Sequence, residues 1–308
     1  MFTVATVRSP VRFISHDTVI LFFEDMGMRY VVVGCFGLVV AFVMLSLVVL
    51  FLTKNPHFEE NVAVSFGEPY GALGSSDGAL LIVEPREHPL LGPVIHEFSQ
   101  RVPPDWVLYV AHGTENAEYA RAATEGLDRR VVFLPLHVDN LSADQYNRLF
   151  KTPEFWHVID AEHILVFQTD AMPCGRMLDT DRYQRFGYIG CAYGNEVGST
   201  APYWKPHSFY GVGGVSLRRK SFMLKCLARD KYRPSHGAED VAFSDCVDEL
   251  RTSYRRPTAQ DVGDFCAQSG WGDPSKAPRS YAAHQVGLMD AGMRQKFLAY
   301  CPTATQIS

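Results

Sequence analysis

Ile164-Leu165-Val166-Phe167-Gln168-Thr169-Asp170 decides how the rest of the chain is read. Four apolar residues followed by a polar turn read as a strand buried on both faces, the signature of a parallel α/β sheet. The strand runs out on a carboxylate. Open α/β sheets bind ligands beyond the carboxyl ends of their strands. A carboxylate placed there can hold a hard cation against a phosphate oxygen. The same Asp170 can equally cap the turn before Met172-Pro173, since aspartate side chains close such turns on their own backbone. The residues alone leave both readings open.

Upstream, strand and helix patterns alternate. Ala79–Val83 is a short buried strand that ends in Glu84-Pro85-Arg86. Residues 89–101 carry Leu90, Val94, Ile95 and Phe98 at helical spacing behind an early proline. Trp106–Ala111 and Val131–Leu134 are further strands, and Asn116–Glu125 is a helix stopped by Gly126. Ser142–Phe150 and Pro153–Ala161 are helices leading into the central strand. This alternation predicts parallel βαβ units in a doubly wound, mostly parallel α/β sheet. No P-loop and no GxGxxG follows the first strand, so neither device holds a nucleotide here. Glu84 and Arg86 stand at the ligand edge of that first strand and are predicted to line a nucleotide site, Arg86 pairing with a phosphate or stacking on a base. A surface ion pair would give the same residues.

Downstream the pattern is less regular. Tyr188–Ala192 reads as a strand. Phe209–Arg219 places Gly211, Gly213 and Gly214 beside a short apolar strand. Glycines there let a ligand approach the backbone, or simply form a tight turn. Glu239-Asp240-Val241 opens a helix with both acids in its first turn, where the macrodipole favours ionised carboxylates. Residues 253–308 are expected to be loop-rich, with His284 between the apolar Tyr281 and Val286.

With 308 residues and 47% hydrophobic content the chain can bury a large core. A net charge of -5 gives no surface for a polyanion, which argues against nucleic acid. Tyr30–Leu52 carries no charge and would reach roughly 34 Å as a helix, enough to span a bilayer core. It is read as one uncleaved transmembrane signal anchor. Arg12 and Arg29 precede it, which places the N-terminus in the cytoplasm. The predicted layout is a cytoplasmic tail (1–29), the anchor (30–52), a Gly/Ser/Pro-rich stem (53–78) and a lumenal domain (79–308). The patch Val19–Phe23 is too short to span. Of seven cysteines, Cys35 lies in the anchor and the other six on the lumenal side, where disulfides form. They show no CxxC spacing, so a zinc site is not expected, and six cysteines permit 15 pairings.

The order of VEPRE (83–87), SADQYNRLFKTPEFW (142–156), ILVFQTD (164–170), YIGCAY (188–193), GVGGVSLRR (211–219), EDVAFSD (239–245) and AAHQV (282–286) resembles the DUF5672 family, glycosyltransferase-like proteins with a GT-A-type fold. The resemblance covers roughly residues 79–302. It implies a nucleotide-sugar-dependent transferase, with a UDP-sugar as donor and a glycan or protein-linked hydroxyl as acceptor. Gln168-Thr169-Asp170 looks like a variant of the DxD metal motif, Gln168 standing where an acid is usual. Gly211–Arg218 looks like a wall of the donor or acceptor site, with Val212 where the family has asparagine. Glu239-Asp240-Val241 is similar to the EDV of β-1,3-glycosyltransferases, in which an acid can act as base. His284 matches the family's late histidine, with Gln285 in place of a basic neighbour.

Glycosyl transfer from a sugar diphosphate requires a neutralised leaving group, a base for the acceptor hydroxyl when configuration inverts, and two substrates held in line. On this reading Asp170 and His284 are metal ligands, for Mn2+ or another divalent ion. Asp240 or Glu239 is the base. Glu84, Arg86, Gln168, Gly213 and Gly214 contact the donor. The resulting expectation is an inverting, metal-assisted type II membrane glycosyltransferase of the Golgi or ER with a lumenal catalytic domain. The alternative is a catalytically inactive sugar- or nucleotide-binding protein on the same fold.

Overall fold

The computed structural model describes residues 12–15, 18–25, 28–35, 64–192, 210–232, 237–271 and 275–308, the first three segments as backbone only. The chain divides into two compact units, Met1–Val62 and Ala63–Ser308.

In the first unit, β1 (Arg12–Ser15), β2 (Thr18–Asp25) and β3 (Met28–Cys35) form an antiparallel sheet in that order. β2 and β3 pair along their whole length, from Thr18 opposite Cys35 to Asp25 opposite Met28. Residues 30–35, expected to begin the membrane-spanning helix, are therefore strand. The run Val31-Val32-Val33 and the facing Val19-Ile20 are β-branched, which suits a pleated ladder better than a helix. Residues 36–52 of that expected helix, and 53–63 of the expected stem, lie outside the described residues. Among the described residues no helix is long and apolar enough to cross a membrane.

The second unit is built on a seven-stranded sheet containing β4 (Tyr70–Gly71), β5 (Ser76–Glu84), β6 (Val107–His112), β7 (Val131–Pro135), β8 (Ala161–Phe167), β10 (Tyr188–Cys191) and β11 (Val212–Arg219). The spatial order is β10-β11-β8-β5-β6-β7-β4. β8, β5, β6 and β7 are mutually parallel, as expected. β11 runs antiparallel to both β8 and β10, and β4 antiparallel to β7, so the sheet is mixed. Apolar periodicity locates strands but carries no information on their direction. The expected stem is also revised, because Tyr70–Gly71 adds an edge strand and Ser76 opens β5.

The central strand reads as the sequence predicts. Ile164, Leu165, Val166 and Phe167 are all fully buried. β5 shows why both faces must be covered. Leu81 and Val83 join one core with Phe150, Trp156, Phe222 and Phe243, while Leu80 and Ile82 join the other with Val94, Ile95, Phe98 and Phe265. Helices Ala143–Phe150, Pro153–His157, Lys220–Leu227 and Glu239–Glu249 cover the first face, and Leu91–Ser99 and Ala259–Phe265 the second. β6 and β7 lie on one side of β5 and β8 on the other. The order of connection thus reverses between β5 and β8, and the crevice beyond their carboxyl ends is a topological switch point.

The C-terminal part is more ordered than expected. A capping box of Thr258 and Asp261 starts helix Ala259–Phe265, and Asp290 caps helix Ala291–Tyr300. β12 (Cys266–Ala267), β13 (Ala282–His284) and β9 (Ala171–Pro173) form a second small sheet. Strands of two or three residues are below any readable period. The six cysteines pair as Cys174–Cys301, Cys191–Cys266 and Cys226–Cys246. Two of these bonds fasten the small sheet, through Cys174 next to β9 and Cys266 in β12.

Candidate functional site

The residues that end β5 and β8 open into a cavity of ≈ 280 Å³ at the switch point, lined among others by Glu84, Arg86, His88, Tyr146, Gln168 and Asp170. Glu84 is buried, and its carboxylate accepts from Arg86 Nε at 2.8 Å and Nη2 at 2.9 Å. The Arg86 side chain is 54% exposed, so the pair holds the guanidinium at the cavity edge with one face open. Asn116 fixes the loop beneath. Fully buried, it donates to the carbonyls of Glu84 (2.9 Å) and Arg86 (2.7 Å) and accepts from the Gly113 N–H (2.7 Å). Tyr146 brings a buried hydroxyl that makes no aligned hydrogen bond among the described residues.

After β8, the turn closes through the Ala171 N–H to the Gln168 carbonyl at 3.1 Å. The Asp170 carboxylate is turned toward β13. Its Oδ1 lies 3.2 Å from His284 Nε2, and its Oδ2 accepts from Gln285 Nε2 at 2.8 Å. The pairing of His284 with Ala171 across β13 and β9 brings these two distant stretches together. Burial acts to raise the Asp170 pKa, but His284 and Gln285 outweigh it and hold the carboxyl below its ordinary value. Gln285 adopts φ 46°, the one positive value at a non-glycine among the described residues. Its N–H also donates to the Asp170 carbonyl at 3.1 Å, so the strained residue clasps Asp170 at two points.

His284 is 3% exposed, and its Nδ1 meets Gln268 Oε1 at 2.9 Å. With Nδ1 donating there, Nε2 is the atom turned to Asp170, and it has no aligned hydrogen bond among the described residues. A proton on Nε2 ties the imidazole to the carboxylate, and a divalent ion in place of that proton fits the same nitrogen and oxygen. Among the described residues no group of three or more His, Cys, Asp or Glu comes together as a metal site. Any remaining ligands would be substrate or water oxygens.

β11 packs against His284 and Glu239. Ser216 pairs with Gly190, but Val212 pairs with Cys191, so β11 bulges between Val212 and Ser216. The bulge holds the two predicted glycines. A Cβ on Gly214 would sit 2.2 Å from His284 Nε2, and one on Gly213 2.4 Å from Glu239 Oε1. The glycine pair is therefore required by close packing of β11 against Glu239 and His284, not by a turn.

The two acids at the start of helix Glu239–Glu249 part company. Glu239 is buried and forms a bidentate ion pair with fully buried Arg218, at 2.6 and 2.8 Å. Asp240 accepts from the Gly213 N–H at 3.1 Å and the Val241 N–H at 2.8 Å. Burial first, and then the Glu239 charge, push the Asp240 carboxyl up to about 6. The helix dipole is expected to favour the ionised form of Asp240, but desolvation is the larger effect and favours the protonated one.

The structure thus gathers Glu84, Arg86, Gln168 and Asp170 around one cavity, sets His284 against Asp170, and joins Gly213 and Gly214 to Asp240 and His284. Asn116, Tyr146 and Gln268 escape sequence reading, as does the contact that Gln285 makes with Asp170. Tyr146 lies within a quoted family stretch and Gln285 directly follows His284, whereas Asn116 and Gln268 carry no local signal.

Comparison with known proteins gives three results. No curated protein matches the chain. Among solved structures, one match is the mannosyltransferase PcManGT from Pyrobaculum calidifontis in complex with GDP-Man and Mn2+, at 14% identity and a TM-score of 0.43. That match covers 73% of this chain, and the chain spans 65% of that protein's length. The profile described as "Protein of unknown function (DUF5672)" matches residues 129–282, a stretch holding the QTD turn, the glycine bulge and the Glu239-Asp240 pair. That stretch is half of the 308-residue chain, and the chain belongs to the DUF5672 family.

Proposed function

We propose that the protein is a nucleotide-sugar-dependent glycosyltransferase that inverts configuration at the transferred carbon. The carrying observation is the switch-point cavity with the Asp170–His284 pair at its mouth and Arg86 at its edge. It offers cation-binding and phosphate-binding groups on one rim, as a sugar diphosphate requires. A divalent ion held by Asp170 and His284 would neutralise the leaving diphosphate. Gln285 and Gln268 orient these two ligands, and Arg86 adds a fixed positive charge beside the phosphates. The acceptor hydroxyl gives its proton to the Asp240 carboxylate as its oxygen bonds to the sugar's anomeric carbon. The bond from that carbon to the diphosphate oxygen breaks, and the diphosphate leaves with the electron pair. A carboxyl titrating at about 6 suits a base at neutral pH, being ionised yet more basic than an ordinary aspartate. Glu239, the other candidate base, has both oxygens engaged by Arg218, and we assign the base to Asp240.

The test is a donor screen, UDP-sugars first and GDP-sugars second, with and without Mn2+. Metal-dependent transfer or donor hydrolysis is expected with at least one donor. Binding of a nucleotide sugar without turnover across all donors and acceptors would favour the inactive binding protein, a reading supported by neutral Gln168 in place of an acid.

Arg86→Ala is expected to weaken UDP binding about 10-fold or more, from loss of one charge-assisted phosphate contact. Calorimetric titration with UDP checks this, and unchanged affinity removes Arg86 from the site.

The uncharged apolar residues 36–52 that follow β3, with the basic Arg12 and Arg29 before them, support a type II orientation in the secretory pathway, with the second unit in the lumen. Three disulfides agree with an oxidising compartment. A C-terminal tag on sealed microsomes should resist protease until detergent is added. Digestion of the tag without detergent would reverse the orientation.

A further inference from the structure

We propose that the buried Arg218–Glu239 ion pair is a positioning device that holds the Asp240 carboxylate in place through the β11 bulge. The inference rests on the assignment of Asp240 as base.

The contacts close into a ring. The Gly213 N–H donates to Asp240 Oδ2 at 3.1 Å. The Gly213 carbonyl, on the other side of the same residue, accepts from the Ser216 hydroxyl at 3.1 Å. Ser216 Oγ accepts from Arg218 Nε at 2.8 Å. The Arg218 Nη atoms donate to Glu239, the chain neighbour of Asp240. The Glu239 N–H is held in turn by Asn147 Oδ1 at 2.8 Å. The Gly213 carbonyl, through the Ser216 hydroxyl, and the Glu239 carboxylate are thus tied to the same guanidinium.

Stability does not explain such an arrangement. Burying two charges is costly, and an apolar pair of similar volume is often as stable or more so. The site also goes to some length to keep the cation. The Arg218 guanidinium carbon lies 4.7 Å from the Phe150 ring centre, 5.4 Å from Tyr188, and 5.8 Å from both Trp156 and Phe243. Four rings enclose the cation, and Gly213 has no side chain because one would meet Glu239 and Arg218. Lysine would keep the charge but lose the fork that reaches Ser216 and Glu239 together.

The charged and titratable groups around Asp240 are Glu239 on its own helix, Arg218 on β11 and Tyr188 on β10. Neutralising Glu239 removes a repulsive charge and releases Arg218 to attract Asp240. Both changes favour ionised Asp240.

The experiment is an NMR titration of the full chain, following aspartate side-chain carboxyl carbons and the Gly213 amide, with Asp240→Asn used for assignment. In the parent, the Gly213 amide should titrate together with Asp240 near pH 6. In Glu239→Gln the Asp240 midpoint should fall by about one pH unit. Ser216→Ala breaks the ring without altering charge. It should leave the midpoint within a few tenths of a unit while Gly213 amide exchange accelerates about 10-fold or more, the signature of a freed bulge. Unchanged Asp240 and Gly213 behaviour in the folded variants would reduce the ion pair to a core element. If Glu239→Gln does not fold, Ser216→Ala decides alone through Gly213 exchange. No step needs turnover, so failure of the donor screen would leave this result intact and separately readable.

Discussion

Asp240→Asn is expected to slow transfer by about 10²-fold or more and, at the same time, to make the protein more stable at neutral and alkaline pH. The two effects have one origin. The fold holds the Asp240 carboxyl at about 6, above its unfolded value. A raised carboxyl pKa means that the protonated form is the one the fold prefers. The stability it contributes is present below pH 4 and is lost as pH rises through 6. At pH 8 the parent therefore carries a buried carboxylate beside Glu239, with no ion pair among the described residues, at a cost of about 1–3 kcal/mol. Asparagine removes that charge and still accepts from the Gly213 N–H. Thermal melts of both proteins at pH 4 and pH 8 should show little difference at the lower pH and a higher Tm for the variant at the higher. Parent activity should rise as pH increases through 6. A variant that melts lower at pH 8, or one that turns over at the parent rate, would be inconsistent with Asp240 as a strained base.

This combination could not be read from the sequence. The first turn of a helix is a comfortable place for Glu239 and Asp240 on dipole grounds. What separates them is the neighbour each meets, and those neighbours lie on β11, more than twenty residues earlier. Local signals carried the main architecture well. Ile164–Phe167 is a fully buried strand, and Asp170 lies at the ligand edge because β5 and β8 flank the point where the connection order reverses. The direction of β11 was not legible, since apolar runs look alike in parallel and antiparallel ladders. Nor was the small sheet, whose strands are too short to show a period, although it is what brings His284 to Asp170. The glycines were visible, but their purpose was not. A turn, a ligand and a close-packed histidine all call for the same residue type, and only the position of the imidazole distinguishes them.

Asp170→Asn is expected to abolish Mn2+-dependent binding of a UDP-sugar, and Gly214→Ala to weaken it by about 10- to 100-fold without replacing either ligand. Asp170 differs from Asp240 in the sign of its perturbation. Burial opposes its charge, but His284 and Gln285 more than compensate, so its pKa is depressed. Its contribution to stability is present at neutral pH and is lost as pH falls through that depressed pKa. Asp170→Asn should therefore lower Tm slightly at pH 7, where Asp240→Asn raises it. The glycine variant isolates geometry from charge. A Cβ at position 214 would lie 2.2 Å from both Cε1 and Nε2 of His284, so the ring has to move. The residues flanking the bulge, Val212 on one side and Val215 on the other, are paired to β10 and β8, which limits how far the backbone at 214 can retreat. The imidazole is displaced from Asp170 Oδ1 while the carboxylate, Gln285 and the cavity rim remain. Titration calorimetry with UDP, in the presence and absence of Mn2+, measures the metal-dependent part directly. Metal-independent affinity, set by Arg86 and the cavity walls, should be the same in all three proteins. If Asp170→Asn and Gly214→Ala both bind Mn2+ with UDP as tightly as the parent, the carboxylate only shapes its turn and the glycine only accommodates a core histidine.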